Sequence, residues 1–269
     1  MEDCHEGGGE LNELSLFSGV GGGALGSRLL GIRVVGYVEV ADYCQSVLRA
    51  RMLDGSLDPA PIFSDIRAFI DSRAVSLYRN VVDVVSAGFP CPAFSWAGLS
   101  GGFRQDSLFY SALEVVDAVE PRYILWENVE GFTRWADTLR NEVETLGYEW
   151  ADGIFNAIDF GVPQNRPRYF NLCVRRGCVP FPSPSFSRKA SKDISGILAV
   201  PDYGQRRRAS SGDSKAEWRD ILSRAGKRRG PVRAPYRVDR LRAIGNVQVP
   251  SVVAGAWRIL SRVLAGDDS

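Results

Sequence analysis

The stretch Leu14-Ser15-Leu16-Phe17-Ser18-Gly19-Val20-Gly21-Gly22-Gly23 decides the fold of this sequence. Its apolar run predicts a buried strand, its glycines predict a tight turn, and residues 24–30 have the pattern of a helix. Such a turn directs unpaired backbone N–H groups toward a ligand, and residues 21–26 also satisfy G-x-G-x-x-G. Glu39, at the end of the next strand, could accept hydrogen bonds from ribose hydroxyls, and Asp65 could bind an adenine amino group or cap a helix. The turn therefore predicts an adenosine-bearing cofactor, without distinguishing NAD from S-adenosylmethionine.

Strand-like and helix-like segments alternate on either side of this turn. The segments with the composition of buried strands are residues 34–39, 81–87 and 123–126, and those with a helical pattern are residues 41–52, 108–119 and 252–264. Apolar runs separated by helices predict parallel strands whose connections cover both faces of one sheet. The sequence therefore predicts an α/β domain of the Rossmann-like type, with a mostly parallel, doubly wound sheet.

The composition is that of an ordinary soluble globular protein. Of 269 residues, 45% are apolar and 24% are charged, which excludes wholesale disorder, a collagen-like repeat and a disulfide miniprotein. The length fits one large domain with a smaller satellite. We expect residues 1–12 to form a disordered leader without the features of a signal peptide. We also expect no membrane-spanning segment and a cytoplasmic protein.

The histidine count limits the chemistry more than the net charge of +1 does. The single histidine, His5, lies in the expected leader, so a Ser-His-Asp or Cys-His mechanism lacks its base. The sequence also shows neither a histidine-built zinc pattern nor a paired C-x-x-C metal pattern. We therefore expect no metal, and a chemistry that depends on carboxylates, a thiol, arginines or a cofactor.

A basic segment interrupts the alternating pattern. Residues 188–242 hold 16 Lys and Arg against 6 Asp and Glu, a local charge of +10, and the rest of the chain holds 17 against 26, a charge of −9. Clustered cations with interleaved aromatic rings suit phosphates and bases together, although a solvated loop has a similar composition. We interpret residues 178–237 as a small domain that binds a polyanion through these basic residues: Arg206, Arg207, Arg208, Lys227, Arg228 and Arg229.

Four side chains that could carry chemistry lie at the ends of predicted strands. Cys91 lies in an irregular loop after residues 81–87, and Glu127 follows the next strand, so both open on one edge of the sheet. Arg166 and Arg168 lie two residues apart before an apolar run, and within a strand they would share a face. Each has an ordinary alternative, namely a buried hydrophobic cysteine, a glutamate that starts a helix, and surface charge.

Taken in order, these segments resemble the motifs of the DNA (cytosine-5) methyltransferases of prokaryotic or phage type. The motifs are Leu16-Phe17-Ser18-Gly19-Val20-Gly21-Gly22, Gly36-Tyr37-Val38-Glu39, Ser64-Asp65-Ile66-Arg67, Gly88-Phe89-Pro90-Cys91, Glu127-Asn128-Val129, Gln164-Asn165-Arg166-Pro167-Arg168 and Ile244-Gly245-Asn246-Val247-Gln248-Val249-Pro250. The resemblance implies a Rossmann-like, S-adenosylmethionine-dependent methyltransferase domain over residues 13–177 and 238–269. It also implies that residues 178–237 form a small target-recognition domain.

The resemblance further implies a reaction and the residues that perform it. Cys91 would add to C6 of a cytosine flipped out of duplex DNA, and Glu127 would hold N3 and the exocyclic amine of that base. Arg168 would help to orient the base, and Arg166 would hold nearby backbone. The implied cofactor residues are Phe17, Ser18, Gly19, Gly21, Gly22, Leu25, Glu39, Val40, Asp65, Ile66, Pro90, Asn246 and Gln248, and Ser95 joins the implied DNA-binding residues. We expect double-stranded DNA as the partner, a short target site and a monomer, and a companion restriction endonuclease would leave no trace in this sequence.

Two departures from the family pattern accompany these matches. Pro92 follows Cys91 where the family usually has Gln, and Val40 offers the adenine less surface than the bulky residue that often follows the acidic residue. The last motif also has a variant spacing. Three alternatives keep part of the pattern: an RNA (tRNA) cytosine-5 methyltransferase, a catalytically inactive DNA-binding relative, and an NAD oxidoreductase. Only the glycine turn supports the last of these.

Overall fold

A single sheet forms the frame of the part of the chain that the structure describes. The structure is a computed structural model, and it describes residues 10–90, 108–179 and 237–267. Within those ranges the sheet has seven strands, which are β1 (Leu11–Leu16), β2 (Ile32–Val38), β3 (Ile62–Phe63), β4 (Val84–Ala87), β5 (Tyr123–Val129), β6 (Tyr148–Asn156) and β7 (Pro167–Arg175). Their spatial order is β3-β2-β1-β4-β5-β7-β6.

The direction of the strands changes only at one side of this sheet. Strands β1 to β5 run parallel to one another, whereas β7 is antiparallel to both β5 and β6. The chain leaves β1 toward β2 and β3 on one side and continues with β4 and β5 on the other. Such a reversal of strand order opens a crevice at the carboxyl ends of the strands, where ligands bind. The predicted α/β fold with a mostly parallel sheet is confirmed.

Helices cover both faces of the sheet. They are α1 (Gly22–Leu29), α2 (Asp42–Leu53), α3 (Ile66–Asp71), α4 (Leu108–Val119), α5 (Ala136–Thr145), α6 (Arg237–Asn246) and α7 (Pro250–Ala265). Helices α3, α4 and α5 share one core, which includes Phe69, Phe109 and Val143, and α7 packs in a second core through Val253 and Trp257. None of the helices in the described ranges is long and apolar enough to cross a membrane.

The structure corrects the end of the predicted leader. The sequence places Leu11 and Asn12 in that leader, but they are the first residues of β1 and pair with Ile32 and Arg33. Leu11 is 2% exposed and belongs to the core beneath α7, so burial of its apolar side chain holds this end of the strand in the sheet. Residues 1–9, and residues 180–236 of the predicted recognition domain, lie outside the described residues, and these two assignments stay predictions.

Glycines bring α1 close to α7 and to the loop before it. A Cβ atom at Gly26 would lie 2.5 Å from Cβ of Val253, and one at Gly22 would lie 2.2 Å from the carbonyl oxygen of Gln248. Any larger side chain at these two positions would force the elements apart. The packing therefore places the last sequence motif, residues 244–250, directly against the turn between β1 and α1.

A buried carboxyl lies in the core beneath α1 and serves no part of the cavity described below. Glu13 of β1 is 0% exposed. It accepts a short hydrogen bond from the hydroxyl of Ser86, and its Oε2 atom has no hydrogen-bond partner among the described residues. Burial raises the pKa of Glu13, and the hydroxyls of Ser27 and Ser86 partly oppose that rise. The folded protein therefore binds a proton at Glu13 more tightly than the unfolded chain does.

This linkage predicts how Glu13→Gln changes stability with pH. Because the folded-state pKa is raised, the stability associated with the proton is complete below the unfolded-state pKa and is lost as the pH rises through the folded-state pKa. A neutral glutamine carries no such loss. We expect Glu13→Gln to change the melting temperature little near pH 5 and to raise it by a few degrees near pH 8. Thermal unfolding at both pH values measures this, with the exposed Glu149→Gln as the control. A variant that is less stable than the parent at both pH values would contradict the expectation.

Candidate active site

A cavity of about 1150 Å³ opens at the carboxyl ends of the parallel strands. Its walls come from the segments that follow β1, β2, β3 and β4, from the end of β5, and from residues near the start of β7 and along α6. Eleven of the predicted site residues line it, namely Phe17, Gly19, Glu39, Val40, Asp65, Ile66, Pro90, Glu127, Arg166, Arg168 and Asn246. The sheet therefore brings together residues that are far apart in the sequence.

The turn between β1 and α1 is built from residues in the left-handed region of the backbone. Phe17, Gly19 and Gly21 have φ angles of 53°, 55° and 85°. Glycine adopts such angles without steric cost, whereas a side chain as large as that of Phe17 rarely does. The hydroxyl of Ser18 donates a hydrogen bond of 2.8 Å to the carbonyl of Ser15 and helps to close the turn. This geometry exposes Phe17 and Gly19 to the cavity.

The carboxylate of Glu39 joins the end of β2 to this turn. It accepts a hydrogen bond of 2.7 Å from the N–H of Gly19 and another of 2.8 Å from the N–H of Ala41. Its side chain is held in one orientation at the cavity wall, and each oxygen keeps a further lone pair for a ligand. The next residue, Val40, is 69% exposed, so its apolar surface is available at the same wall.

Asp65 caps a helix and lines the cavity as well. Its Oδ1 atom accepts hydrogen bonds from the N–H groups of Arg67 and Ala68, at 2.8 and 3.0 Å, at the start of α3. This is the capping role that the sequence left open as the alternative to adenine binding. Ile66 follows it with 3% exposure and forms part of the apolar wall.

Glu127 is held by two side chains at the wall of the cavity. Its side chain, at the end of β5, forms an ion pair of 3.0 Å between Oε1 and Nε of Arg168, and its Oε2 accepts a hydrogen bond of 3.3 Å from Nε2 of Gln248. The residue is 8% exposed. Burial raises the pKa of Glu127, while Arg168, Gln248 and Arg166 lower it less strongly. The result is a glutamate that accepts and holds a proton more readily than an exposed one.

Arg166 has a different role from its neighbour Arg168. Its guanidinium donates hydrogen bonds to the carbonyls of Gly245 and Val247, at 2.8 and 3.0 Å. Because β7 begins at Pro167, Arg166 directly precedes the strand, and both arginines line the same cavity. Arg166 therefore ties the loop before α7 to the wall that carries Glu127.

Asn128 is a site residue to which the sequence assigned no role of its own. Its Nδ2 donates a hydrogen bond of 3.1 Å to the carbonyl of Phe89, and its Oδ1 accepts one of 2.9 Å from the N–H of Val129. The first bond fixes the backbone of the segment that follows β4, two residues before Cys91. In the sequence, only its place in the motif Glu127-Asn128-Val129 indicates that Asn128 belongs near the site.

The described cysteines and the possible metal ligands limit the reactions that this cavity could support. Cys44 lines the cavity, but burial raises the pKa of its thiol to about 11. Cys173 is fully buried, and the pKa of that thiol is also raised. Neither thiol has the lowered pKa of a nucleophile. In the described part of the chain, no group of three or more His, Cys, Asp and Glu residues could hold a metal ion.

Some predicted residues lie elsewhere. The structure places Ser18, Gly21, Gly22, Leu25 and Gln248 outside the lining of the cavity. A Cβ atom at Gly21 would meet the side chain of Leu57 at 2.6 Å, and Leu25 packs against a core cluster between α1 and α2, so these two positions serve packing. Contact of these residues with a cofactor stays a prediction. The predicted residues outside the described ranges are Cys91, Ser95, Arg206, Arg207, Arg208, Lys227, Arg228 and Arg229.

The cavity is also lined by residues that the sequence did not indicate. Among them are Tyr43, Arg67, Leu108, Glu130, Gly131, Asp239 and Ala243. Two signals were available. Tyr43 lies in the first turn of the helix that follows Glu39, so it faces the same strand end. Asp239 and Ala243 are four residues apart on α6, which places them on one face of that helix.

Comparison with solved structures gives the class of fold. A crystal structure of a DNMT2 variant from Spodoptera frugiperda has a TM-score of 0.52 with this chain, at 20% sequence identity, and the match covers 65% of this chain and 54% of that one. At this identity the similarity shows the fold alone. The fold is that of the Rossmann-like methyltransferases.

Comparison of sequences gives the family. The family of C-5 cytosine-specific DNA methylases matches residues 11–230, and this chain belongs to it. Type II methyltransferase M.Eco47II of Escherichia coli is 32% identical over 170 residues, which are 60% of this chain and 39% of that protein. Type II methyltransferase M.HhaI of Haemophilus parahaemolyticus is 28% identical over 203 residues, 71% of this chain and 58% of that protein.

A phage protein is among the relatives. Orphan methyltransferase M.Rho11sI of Bacillus phage rho11s is 30% identical over 180 residues, which are 63% of this chain and 34% of that protein. The predicted family of prokaryotic or phage type is confirmed by these matches. This chain matches less than two thirds of the length of each of these curated relatives.

Proposed function

We propose that this protein transfers a methyl group from S-adenosylmethionine to C5 of cytosine in duplex DNA, within a short specific sequence. The observation that carries the proposal is the ion pair of Glu127 and Arg168 at the wall of the cavity. It places a buried carboxyl with a raised pKa beside the strand end that leads to Cys91. Membership of the family supports the reaction class.

The cavity wall around the β1–α1 turn fits S-adenosylmethionine. Glu39 is fixed by two N–H groups and keeps lone pairs for ribose hydroxyls. Phe17, Val40 and Ile66 supply apolar surface at the same wall, which suits an adenine ring. When bound, S-adenosylmethionine would supply an electrophilic methyl group. Asn246, which also lines the cavity, would contact the methionine end of the cofactor.

The chain's own side chains supply the remaining chemistry. The thiolate of Cys91 forms a bond to C6 of the cytosine, and Glu127 gives its proton to N3, so that C5 becomes the nucleophilic carbon. After C5 has gained the methyl group, it loses its proton to solvent water. The electron pair of that C–H bond forms the C5–C6 double bond as the bond between sulfur and C6 breaks, Cys91 leaves as the thiolate, and the proton on N3 returns to Glu127. Arg168 keeps Glu127 oriented and compensates its charge in the ionised state.

The partner is proposed to be double-stranded DNA, from which the cytosine must be flipped to reach the cavity. The basic residues of the segment 178–237 would contact phosphates, and Ser95 would lie against the DNA near Cys91. This segment would be the target-recognition domain, and its small size favours a short target site. We place the protein in the cytoplasm of a prokaryotic cell, acting as a monomer.

The proposal is tested by incubating the purified protein with labelled S-adenosylmethionine and either unmethylated duplex DNA or tRNA. Mass spectrometry of the nucleosides is expected to find 5-methylcytosine in the DNA alone, and nanopore sequencing of the product would give the target sequence. Product in tRNA would favour the RNA methyltransferase. Absence of 5-methylcytosine from both polymers, with cofactor binding retained, would favour the inactive relative and contradict the proposal.

A further inference from the structure

Gln248 lies in a slot between two glycines. A Cβ atom at Gly23 would lie 2.1 Å from Oε1 of Gln248, and one at Gly88 would lie 2.7 Å from its Nε2. Gly23 is on α1 and Gly88 follows β4, so the amide passes between the glycine turn and the segment that leads to Cys91. Only positions without a side chain leave this passage open.

The side-chain amide of Gln248 contacts the carboxyl of Glu127. Its Nε2 donates a hydrogen bond of 3.3 Å to Oε2 of Glu127, while Arg168 pairs with Oε1. The carboxyl is therefore held at both oxygens, by a cation from β7 and by a neutral amide from the loop before α7. Arg166 fixes that loop through the carbonyl of Val247, which precedes Gln248.

Gln248 adjoins two residues that line the cavity, Gly88 and Glu127. The residue does not belong to the lining of the cavity, whereas Glu127 does. A Cβ atom at Gly88 would also lie 3.3 Å from Oε2 of Glu127, so Gly88, Gln248 and Glu127 meet at one point. The groups with charge that face Glu127 here are Arg168 and Arg166.

We propose that Gln248 is a positioning residue that orients the carboxyl of Glu127 toward the target cytosine, and that it is not a cofactor ligand. This inference rests on the proposed function for its catalytic meaning. The amide prevents rotation of the carboxyl about its last torsion and favours its ionised state by donating to it. The two glycines are required because any side chain at either position would displace the amide from its slot.

The first experiment measures Glu127 without substrate. Carbon-13 NMR of protein labelled at glutamate side chains follows the titration of Glu127, whose signal is assigned by its loss in Glu127→Gln. In Gln248→Met, which keeps the length but lacks the donor, the midpoint is expected to move upward by about one pH unit. The exposed Gln164→Met is the matched control, and its midpoint should equal that of the parent. An unchanged midpoint in Gln248→Met would overturn the proposal.

A double variant tests the slot itself. Gly88→Ala alone should displace the amide and raise the Glu127 midpoint as Gln248→Met does. In the Gln248→Ala background there is no amide to displace, so Gly88→Ala should add little further change. Independent, additive shifts of the midpoint from the two substitutions would contradict the coupling.

Kinetics distinguish positioning from cofactor binding. Gln248→Met should lower kcat for methylation about 10-fold or more, because a carboxyl that is free to rotate is rarely in the productive orientation. Its Kd for S-adenosylmethionine, measured by calorimetry, should stay within about twofold of the parent value. A weakened cofactor affinity with an unchanged Glu127 midpoint would overturn the proposal. A parent protein without methylation activity would instead refute the proposed function, and the titration would still decide the contact.

Discussion

Cys91→Ala is expected to lower the rate of cytosine methylation by about 10⁴-fold or more, the scale of loss seen when a covalent nucleophile is removed. The reason is that C5 of cytosine is a poor nucleophile until a group has added to C6. The other thiol at the cavity, Cys44, has a pKa raised to about 11 and cannot replace it at neutral pH. Cofactor affinity should change little, since the residues proposed to bind the adenosine come from the segments after β1, β2 and β3.

The measurement combines a methylation assay with a trap for the covalent bond. Duplex DNA that carries 5-fluorocytosine at the target cannot lose a proton from C5, so the protein should remain attached to it through sulfur in a denaturing gel. The attached species should form with the parent and with Cys4→Ala, and not with Cys91→Ala. Retained methylation by Cys91→Ala would remove this residue from its proposed role.

The parallel part of the fold was predictable because its signals are local. Strands β2, β4 and β5 each contain a short apolar run, β1 ends in Leu14-Ser15-Leu16, and α4 has the bounds that its helical pattern predicts. The antiparallel edge was not predictable in the same way. Strand β6 includes Glu149, Asp152 and Gly153, so no buried pattern marks it, and it is stabilised by pairing with β7 rather than by its own composition.

The residues of the site differ in the same way: local patterns predict some of them, whereas the positions of others depend on long-range contacts. Glu39 and Glu127 were predictable because each lies at the carboxyl end of a parallel strand, and such ends meet at one edge. The positions of Gln248 and Arg166 depend on contacts across 121 and 81 residues of the chain, between Gln248 and Glu127 and between Arg166 and Val247. The motifs that contain Gln248 and Arg166 could be recognised in the sequence. No pattern in the sequence predicts which side chain or carbonyl the amide of Gln248 or the guanidinium of Arg166 contacts.

Glu127→Gln is expected to lower kcat by about 10²- to 10⁴-fold, the range that a positioned acid or base contributes. Glutamine is nearly isosteric, and its amide can donate to N3 of cytosine and accept from the exocyclic amine. Binding of the flipped base should therefore survive, and the KM for DNA should change far less than kcat. What is lost is the proton that N3 needs while the thiolate of Cys91 adds to C6.

The pH dependence gives this prediction a second test. In the parent, kcat/KM should fall at high pH as Glu127 loses its proton, and this limb should lie above the ordinary range of a glutamate because burial raises the pKa of Glu127. In Glu127→Gln the high-pH limb should disappear, since glutamine has no proton to lose. The control is Glu144→Gln on the exposed side of α5, which should keep both the rate and the limb. A high-pH limb that persists unchanged in Glu127→Gln would assign it to another group and leave Glu127 to bind the base without supplying the proton.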